Sequence, residues 1–233
     1  MSASYQDAIR LQTSVLSASE KRLLVWMAGK LPPWVTSDRL TLLALLAMLG
    51  AGLSYWLAAA HPVGLLLVVV CLALNWFGDS LDGTVARVRN CQRPRYGFYV
   101  DHVIDAAGSL FLLGGLALSG YMSPIVALAL LAAYFLVLIE IYLATSVLET
   151  FRMAMFKVGP TELRIILAIG NIVLLFHPRT TILGSPVLLF DVGGVVAALG
   201  LVVAFAISAV RNTRTLYLEE PLPDGRAKNG AGL

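Results

Sequence analysis

Long apolar runs separated by short polar segments dominate the chain from residue 40 to residue 210. A helix that crosses the hydrocarbon core of a membrane needs about 20 largely apolar residues. Six runs approach or exceed this length, and each predicts a membrane-spanning helix: residues 40–60, 63–89, 97–119, 124–147, 160–176 and 187–210. Because the segments between them are too short to fold separately, the pattern predicts one all-α polytopic membrane domain over residues 36–210.

The two ends of the chain have a different pattern. Residues 5–31 place apolar side chains among polar ones at roughly helical spacing, which predicts an amphipathic helix within an N-terminal arm of residues 1–35. Such a helix lies either in the membrane interface or against the cytoplasmic face of the protein itself. Residues 211–233 form the remaining segment, which we predict to be a disordered cytoplasmic tail.

Composition and charge agree with a membrane location and orient the chain. Hydrophobic residues make up 58% of the sequence and charged residues 13%, whereas soluble domains carry about a quarter charged residues. In the six-span arrangement every Lys and Arg except Arg179 falls on one side, so both termini are expected in the cytoplasm. The net charge of +3 then reflects this topology and anionic membrane lipids, and no basic stripe indicates a nucleic-acid partner.

Four aspartates lie between the predicted second and third spans. Asp79 and Asp82 are three residues apart, and Asp101 and Asp105 are four residues apart, so each pair shares one face of its helix. The first pair ends one span and the second pair begins the next. All four carboxylates are therefore expected at similar depth, near the cytoplasmic side.

A carboxylate cluster at this place needs a source of positive charge. Each Asp at the bilayer centre costs about 2.5–3.5 kcal/mol on insertion scales, and clustering adds repulsion. Hydration of aspartates at the interface is the alternative. Carboxylate oxygens are the ligands that hard divalent cations prefer, and Mg²⁺ often shares its coordination shell with a substrate phosphate. We therefore predict two divalent cations, Mg²⁺ or Mn²⁺, of the kind that assist phosphoryl transfer.

Small residues follow the first acidic pair. Gly83 lies directly after Asp82, where glycine costs about 1 kcal/mol relative to alanine in a helix interior, and Ala86 follows one turn later. They either pack against a neighbouring helix or leave room for a base or a diphosphate. Arg87 is placed to reach phosphate oxygens with its planar guanidinium.

This pattern resembles the signature of the CDP-alcohol phosphotransferases: Asp, two residues, Asp-Gly, two residues, Ala-Arg, about eight residues, Gly, three residues, Asp, three residues, Asp. Its fixed positions are here Asp79, Asp82, Gly83, Ala86, Arg87, Gly97, Asp101 and Asp105. The gap of residues 88–96 is one residue longer than usual and falls in a predicted loop. The six-span arrangement extends the resemblance over residues 36–210.

The resemblance implies roles for these positions. Asp79, Asp82 and Asp101 would be metal ligands, and Asp105 would be both a ligand and the base for the acceptor hydroxyl. The nucleotide would be bound by residues of the same signature: Asp79, Gly83, Ala86, Arg87 and Gly97. An alcohol would attack the phosphorus distal to the nucleoside and release CMP, and the family further implies a homodimer.

The donor can belong to either of two branches of this family. CDP-diacylglycerol gives its phosphatidyl group to a polar alcohol in one branch, and CDP-choline or CDP-ethanolamine gives its head group to diacylglycerol in the other. His102 resembles the second branch and is a catalytic candidate, although it is equally a histidine at the interface, and Phe98 stands where that branch has Glu. The short chain favours CDP-diacylglycerol as donor and a bacterial or archaeal cell membrane as location.

A second polar cluster precedes and begins the predicted fifth span. Arg152, Lys157 and Arg164 are either anchors on the cytoplasmic side or, with Glu162, a binding site for a phosphorylated acceptor alcohol. Thr161 and Glu162 can alternatively cap the helix.

An ion-coupled transporter is the alternative outside enzymes, because acids inside a membrane also line ion paths. A transporter would place acids near the midplane on several spans. Here four acids cluster on one predicted helical hairpin, and Glu140 alone lies deeper, as a functional acid or an interhelical contact. The clustering favours the enzyme.

Overall fold

The computed structural model describes residues 17–148 and 160–220. Within these ranges the chain forms seven helices and one two-stranded hairpin. In chain order the elements are α1 (Ser17–Lys30), α2 (Ser37–Ala58), α3 (Val63–Val88), α4 (Pro94–Leu118), α5 (Pro124–Leu148), α6 (Pro160–Leu174), β1 (Arg179–Ile182), β2 (Ser185–Leu188) and α7 (Leu189–Glu219).

Five of these helices are long and apolar enough to cross a membrane, namely α2, α3, α4, α5 and α7. The chain is therefore a polytopic membrane protein, as predicted. Helix α6 begins where the fifth span was expected, but it has 15 residues and covers only about 22 Å of a hydrocarbon core of about 30 Å. Five of the six predicted spans thus have a helix long enough to cross the membrane. The span at α6 stays a prediction, because residues 149–159 before it lie outside the described ranges.

A β-hairpin between α6 and α7 departs from the predicted all-α fold. Strands β1 and β2 are antiparallel, with Arg179 opposite Leu188. Leu183 and Gly184 form the two-residue turn, and both have positive φ (49° and 82°), as a type I′ hairpin turn requires. The apolar stretch that was predicted to open the last span at residue 187 thus begins in β2, and the helix follows it.

Close approach of α2 to its two neighbours fixes the start of the bundle. A Cβ on Gly115 of α4 would overlap the backbone of Gly52 on α2, a packing that only small residues permit. On the other side, a Cβ on Gly78 of α3 would lie 2.6 Å from the Leu40 carbonyl oxygen of α2. Because Asp79 follows Gly78, this contact sets the acidic end of α3 directly against α2.

Helix α1 packs on the end of the bundle where α3 ends and α4 begins, hereafter the site end. Its buried residues join one small hydrophobic cluster with α2 and α3: Leu24, Ala28, Leu40, Leu81 and Val85. On its other face Leu23, Val25 and Trp26 are exposed. The described part of the predicted arm therefore rests on the protein, while residues 1–16 lie outside the described ranges.

Helix α7 extends nine residues past the predicted domain boundary at residue 210, to Glu219. Residues 211–219 of the predicted tail thus continue this helix, and residues 221–233 lie outside the described ranges. On this extension Asn212 donates a hydrogen bond of 2.6 Å from Nδ2 to Oε1 of Glu140 on α5. Glu140 therefore makes an interhelical contact, one of the two roles considered for it.

Candidate active site

The α3–α4 connection brings the two acidic pairs to the same end of the bundle. Helix α3 ends one residue before Arg89 and α4 begins at Pro94, and Asn90 in between adopts a left-handed conformation with φ of 52°. Arg89 donates from Nη1 to the Val35 carbonyl (2.7 Å) and from Nη2 to the Leu31 carbonyl (2.9 Å). The reversal of the chain is therefore tied to the segment between α1 and α2.

Asp82 is the most buried acid of the site, at 7% exposure. Its Oδ2 accepts a hydrogen bond of 2.7 Å from the Thr41 hydroxyl on α2, and its Oδ1 accepts one from the Gly83 amide. The charges of Asp101 and Asp79 lie close enough to act on it. Three of the four predicted acids thus share one electrostatic environment.

Asp79 is engaged by a residue from a distant part of the chain. Arg164, in the first turns of α6, donates from Nη2 to Asp79 Oδ2 at 2.6 Å and from Nε to Asn75 Oδ1 at 2.8 Å. Asn75 is held in turn by a bond of 3.1 Å from its Nδ2 to the Ala44 carbonyl on α2. The structure therefore joins Arg164, predicted as an acceptor ligand, to a predicted metal ligand.

Asp101 and Asp105 lie on α4, partly buried, and both have partners of their own. Asp101 acts electrostatically on Asp82 of α3. Asp105 acts on two tyrosines of α5, Tyr134 and Tyr142. The second acidic pair therefore connects the α3 acids with the face of α5.

The two α5 tyrosines were not predicted from the sequence. Tyr134 bonds to Ser109 of α4, whereas the buried Tyr142 hydroxyl has no hydrogen-bond partner among the described residues. A buried hydroxyl without a partner is uncommon in native proteins and calls for an explanation. The available signal was their spacing of eight residues, which puts both on one face of an otherwise apolar helix.

The carboxylate oxygens of the four aspartates suit a hard divalent cation, but they do not converge on one point. Carboxylate oxygens from two adjacent helices are the right chemistry for Mg²⁺ or Mn²⁺. Across residues 17–148 and 160–220, however, no three His, Cys, Asp or Glu side chains are gathered tightly enough to hold an ion. Arg164 and Thr41 occupy oxygens of Asp79 and Asp82 instead.

The predicted nucleotide residues border open space at the site end. Arg87 is exposed and its Nη2 bonds to Thr84 Oγ1 at 3.0 Å. A Cβ on Gly83 would meet only the tip of the Arg87 side chain, at 3.4 Å, and a Cβ on Gly97 would meet nothing within 4 Å. Ala86 is half-buried on the same helix as Gly83. Neither glycine is required by helix packing, which leaves room for a ligand.

His102 is buried between aromatic rings. Its Nδ1 lies 2.5 Å from the Phe98 carbonyl oxygen of its own helix. Its ring centroid is 4.1 Å from that of Phe98 and 4.8 Å from that of Tyr142, the latter edge-on. These contacts give His102 a structural role between α4 and α5, and its catalytic role stays a prediction.

The predicted acceptor residues are only partly described. Arg152 and Lys157 lie outside the described ranges, whereas Glu162 and Arg164 lie at the start of α6. The sequence did not indicate what fixes this helix start. Glu20 of α1 accepts bonds at Oε1 from Trp76 Nε1 of α3 (2.8 Å) and from Thr161 Oγ1 (2.6 Å), so three elements meet at one carboxylate.

An exposed ion pair closes the outer edge of the site end. Arg93, at the start of α4, pairs with Asp38 on α2 and lies 4.1 Å over the Tyr96 ring. The hydrogen bond that Arg93 donates to the Asp38 carboxylate raises the pKa of Arg93 above its usual range. Thr36 caps the start of α2, where its side chain accepts from the Arg39 amide. Exposed pairs of this kind contribute little to stability.

The fold and the site define a class: a polytopic membrane protein with an acidic helical hairpin at one end of its bundle. The chain belongs to the CDP-alcohol phosphatidyltransferase family, whose model matches residues 31–209. It is therefore a transferase that moves a phospho-alcohol group from a CDP-linked donor to an alcohol acceptor, in a family that is metal-dependent in general. No curated protein matches the chain.

Proposed function

We propose that this protein transfers the phosphatidyl group of CDP-diacylglycerol to the hydroxyl of a polar alcohol and releases CMP. The observation that carries the proposal is the Asp79–Asp82–Asp101 environment, in which a buried carboxylate on α3 faces acids of both helices. Carboxylates concentrated at one end of the bundle attract the divalent cations that phosphoryl-transfer sites use.

The four aspartates would hold two ions, Mg²⁺ or Mn²⁺, with Asp79, Asp82 and Asp101 as ligands and Asp105 as a further ligand. When bound, such ions neutralise phosphate charge and polarise the acceptor oxygen. Gly83, Ala86, Arg87 and Gly97, together with Asp79, would bind the cytidine diphosphate. The open space beside both glycines supports this assignment.

Asp105 would take the proton of the acceptor hydroxyl. The deprotonated acceptor oxygen attacks the phosphorus distal to the nucleoside. The bond between that phosphorus and the bridging oxygen breaks, and CMP leaves with the bridging oxygen. A carboxylate of ordinary pKa, near 4, is a weak base for an alcohol. Polarisation of the acceptor oxygen by the bound ions would offset part of this weakness.

Acceptor binding is assigned to Arg152, Lys157, Glu162 and Arg164. The position of Arg164 beside Asp79 supports its part in this assignment, because a group bound there adjoins the acidic cluster. A phosphorylated alcohol suits several basic side chains. The site end, both termini and these basic residues would face the cytoplasm, and the protein would act as a homodimer in a bacterial or archaeal membrane.

The aromatic surroundings of His102 favour the phosphatidyl branch over the choline and ethanolamine branch. A histidine whose ring is buried between Phe98 and Tyr142 is occupied by packing between α4 and α5. In this proposal His102 positions α4 rather than exchanging protons with substrate. The other branch is one outcome of the experiment below.

The test is CMP release by the purified protein with Mg²⁺ or Mn²⁺. One series offers CDP-diacylglycerol with a panel of alcohols and phosphorylated alcohols, and a second offers CDP-choline or CDP-ethanolamine with diacylglycerol. We expect CMP only in the first series. Release only in the second would assign the other branch, and ion flux in proteoliposomes without CMP release would support a transporter.

The first prediction concerns the proposed base. Replacing Asp105 by Asn keeps the shape of the side chain and removes its ability to take a proton, so we expect CMP release to fall at least about 1,000-fold. Size-exclusion behaviour and thermal unfolding should match the wild type. A variant that keeps wild-type turnover would remove Asp105 from the mechanism.

A further inference from the structure

We propose that Arg164 is the counter-charge of Asp79 before a divalent cation binds, and that it exchanges Asp79 for a substrate phosphate when the cation arrives. This inference rests on the proposed function, because it needs the aspartates to receive a cation. In the absence of a cation, a residue of the chain itself neutralises Asp79. A single arginine would then link the loading of the site with the binding of an anionic substrate.

The ion pair between Arg164 and Asp79 is well formed and partly sheltered. The Nη2–Oδ2 distance is 2.6 Å, and the side chains are 16% and 33% exposed, respectively. Asn75 orients the guanidinium by accepting from its Nε, and is itself fixed by the Ala44 carbonyl. A carboxylate held by a sheltered and oriented arginine is neutralised without any ion.

This ion pair also places a positive group on one of the predicted metal ligands. Asp79 and Asp82 lie on one face of α3 with Asp101 nearby, yet no three acids of the described ranges surround a common point. A guanidinium on Asp79 disfavours a divalent cation at the same carboxylate, because two positive groups at hydrogen-bonding distance repel each other. Arg164 and the cation therefore compete for Asp79.

The displaced arginine stays beside the acidic cluster because its helix is anchored. The start of α6 is anchored through Thr161, which donates to Glu20 of α1, and Glu20 also accepts from Trp76 of α3. With its backbone anchored, Arg164 exchanges partners by moving its side chain alone. Its planar fork matches two phosphate oxygens, so a phosphate group next to the acidic cluster is the natural new partner.

The proposal links two binding events. A cation that releases Arg164 makes the guanidinium available to phosphate, and a phosphate that holds Arg164 makes Asp79 available to the cation. By thermodynamic reciprocity each event then favours the other. Removing the arginine should therefore have opposite effects on the two functions, with tighter cation binding and slower transfer.

The experiment measures Mn²⁺ binding by the full-length purified protein without substrate, and CMP release separately. For Arg164→Gln we expect Mn²⁺ affinity to rise about tenfold, equivalent to about 1.4 kcal/mol, while CMP release falls. Arg164→Lys keeps the charge and should stay within about twofold of wild-type affinity. Arg214→Gln is the matched control, because it removes an exposed arginine on α7 and should change neither quantity.

A second variant keeps the inference testable if Arg164→Gln does not fold. Asn75→Ala leaves the charge in place and loosens its orientation, so Mn²⁺ affinity should rise about two- to threefold. Equal or weaker Mn²⁺ binding in the folded Arg164→Gln or Asn75→Ala variant, or no Mn²⁺ binding by any form, would overturn the inference. Tighter binding in the variants together with a wild type that releases no CMP from any donor would uphold the ion competition and refute the proposed reaction.

Discussion

Individual acids of the candidate site are held by partners of different kinds. Asp82 is 7% exposed and accepts from a hydroxyl of another helix and from a backbone amide. Asp79 is 33% exposed at its side chain and pairs with an arginine. Removing a donor from a buried acid leaves an unsatisfied charge, which costs more than the loss of an exposed contact. The two acids should therefore respond differently to loss of a partner.

Thr41 provides a direct test of this difference. Replacement by the isosteric Val removes the donor to Asp82 and should lower the free energy of unfolding by about 1–3 kcal/mol. Thr41→Ser keeps the hydroxyl and serves as the matched control. Thermal unfolding in detergent measures both, and equal stability of the Val and Ser variants would contradict the importance of this bond.

The Tyr142 hydroxyl, which has no hydrogen-bond partner among the described residues, can be tested for contact with the acceptor. Because it bonds to nothing among the described residues and lies near Asp105, Tyr142→Phe should leave thermal stability unchanged and raise the KM for the acceptor about tenfold. Tyr134→Phe loses the bond to Ser109 and should lower stability by about 1 kcal/mol. An unchanged KM for the acceptor in Tyr142→Phe would show that the Tyr142 hydroxyl does not contact the acceptor.

Helical spacing accounts for the faces on which the acids lie, but it gives no information on their partners. The faces of Asp79, Asp82, Asp101 and Asp105 depend on helical periodicity, which the sequence contains directly. The ion pair between Arg164 and Asp79 joins positions 85 residues apart. The sequence does not show which acid a basic residue near a helix start will contact. Long-range partners are determined by packing, which one sequence does not specify.

At the scale of elements, α1 and α6 depend on each other through one carboxylate. Glu20 accepts from Trp76 on α3 and Thr161 on α6, and Leu24 and Ala28 bury the same helix against α3. The short α6, which carries Arg164, therefore receives support from outside the bundle. The amphipathic pattern predicted α1, but the polar anchor was not evident because Glu20 looks like an ordinary exposed acid.

Changes at Glu20 test this support. Glu20→Ala removes both hydrogen bonds and should destabilise the protein by about 1–3 kcal/mol, with slower CMP release because Arg164 loses its position. Glu20→Gln retains an acceptor oxygen and should remain close to the wild type in unfolding temperature and turnover. If the Ala variant matches the Gln variant in both measurements, α1 does not support the site.

The hairpin and the end of α7 show why element boundaries escaped the sequence. Leu183 at the turn is apolar and is not among the residues that signal a type I′ turn, so the stretch before α7 resembled the start of a span. At the other end, the polar residues after 210 suggested disorder, yet Asn212 bonds to Glu140 across to α5. Tertiary contacts decided both boundaries.

Two exposed positions at opposite ends of the whole molecule report its orientation in the membrane. Cys91 is exposed at the site end, in the turn between α3 and α4, and Leu183 at the hairpin tip is fully exposed. Cys91 follows the end of α3, whereas Leu183 precedes α7 at the opposite end of the bundle, where Asp191 of α7 bonds to Ser123 just before α5. Labelling them from each side of the membrane therefore orients the bundle.

We expect a membrane-impermeant maleimide to label Cys91 in inside-out vesicles and not in intact cells, because the distribution of Lys and Arg places this turn in the cytoplasm. Cys91→Ser controls for reaction at Cys71, which is partly buried. In that background Leu183→Cys should show the reverse pattern. Labelling of both positions from the same side would contradict the proposed orientation.

The β1–β2 hairpin has a practical consequence for imaging this protein. At 25.0 kDa, the chain offers little mass outside the membrane for aligning particle images. Paired strands that end in a two-residue turn provide two closely spaced splice points, and exposed loop tips tolerate insertions well. A rigid β-rich domain grafted between Leu183 and Gly184 would extend from the bundle as a fiducial marker, at the end remote from Asp79 and Arg164.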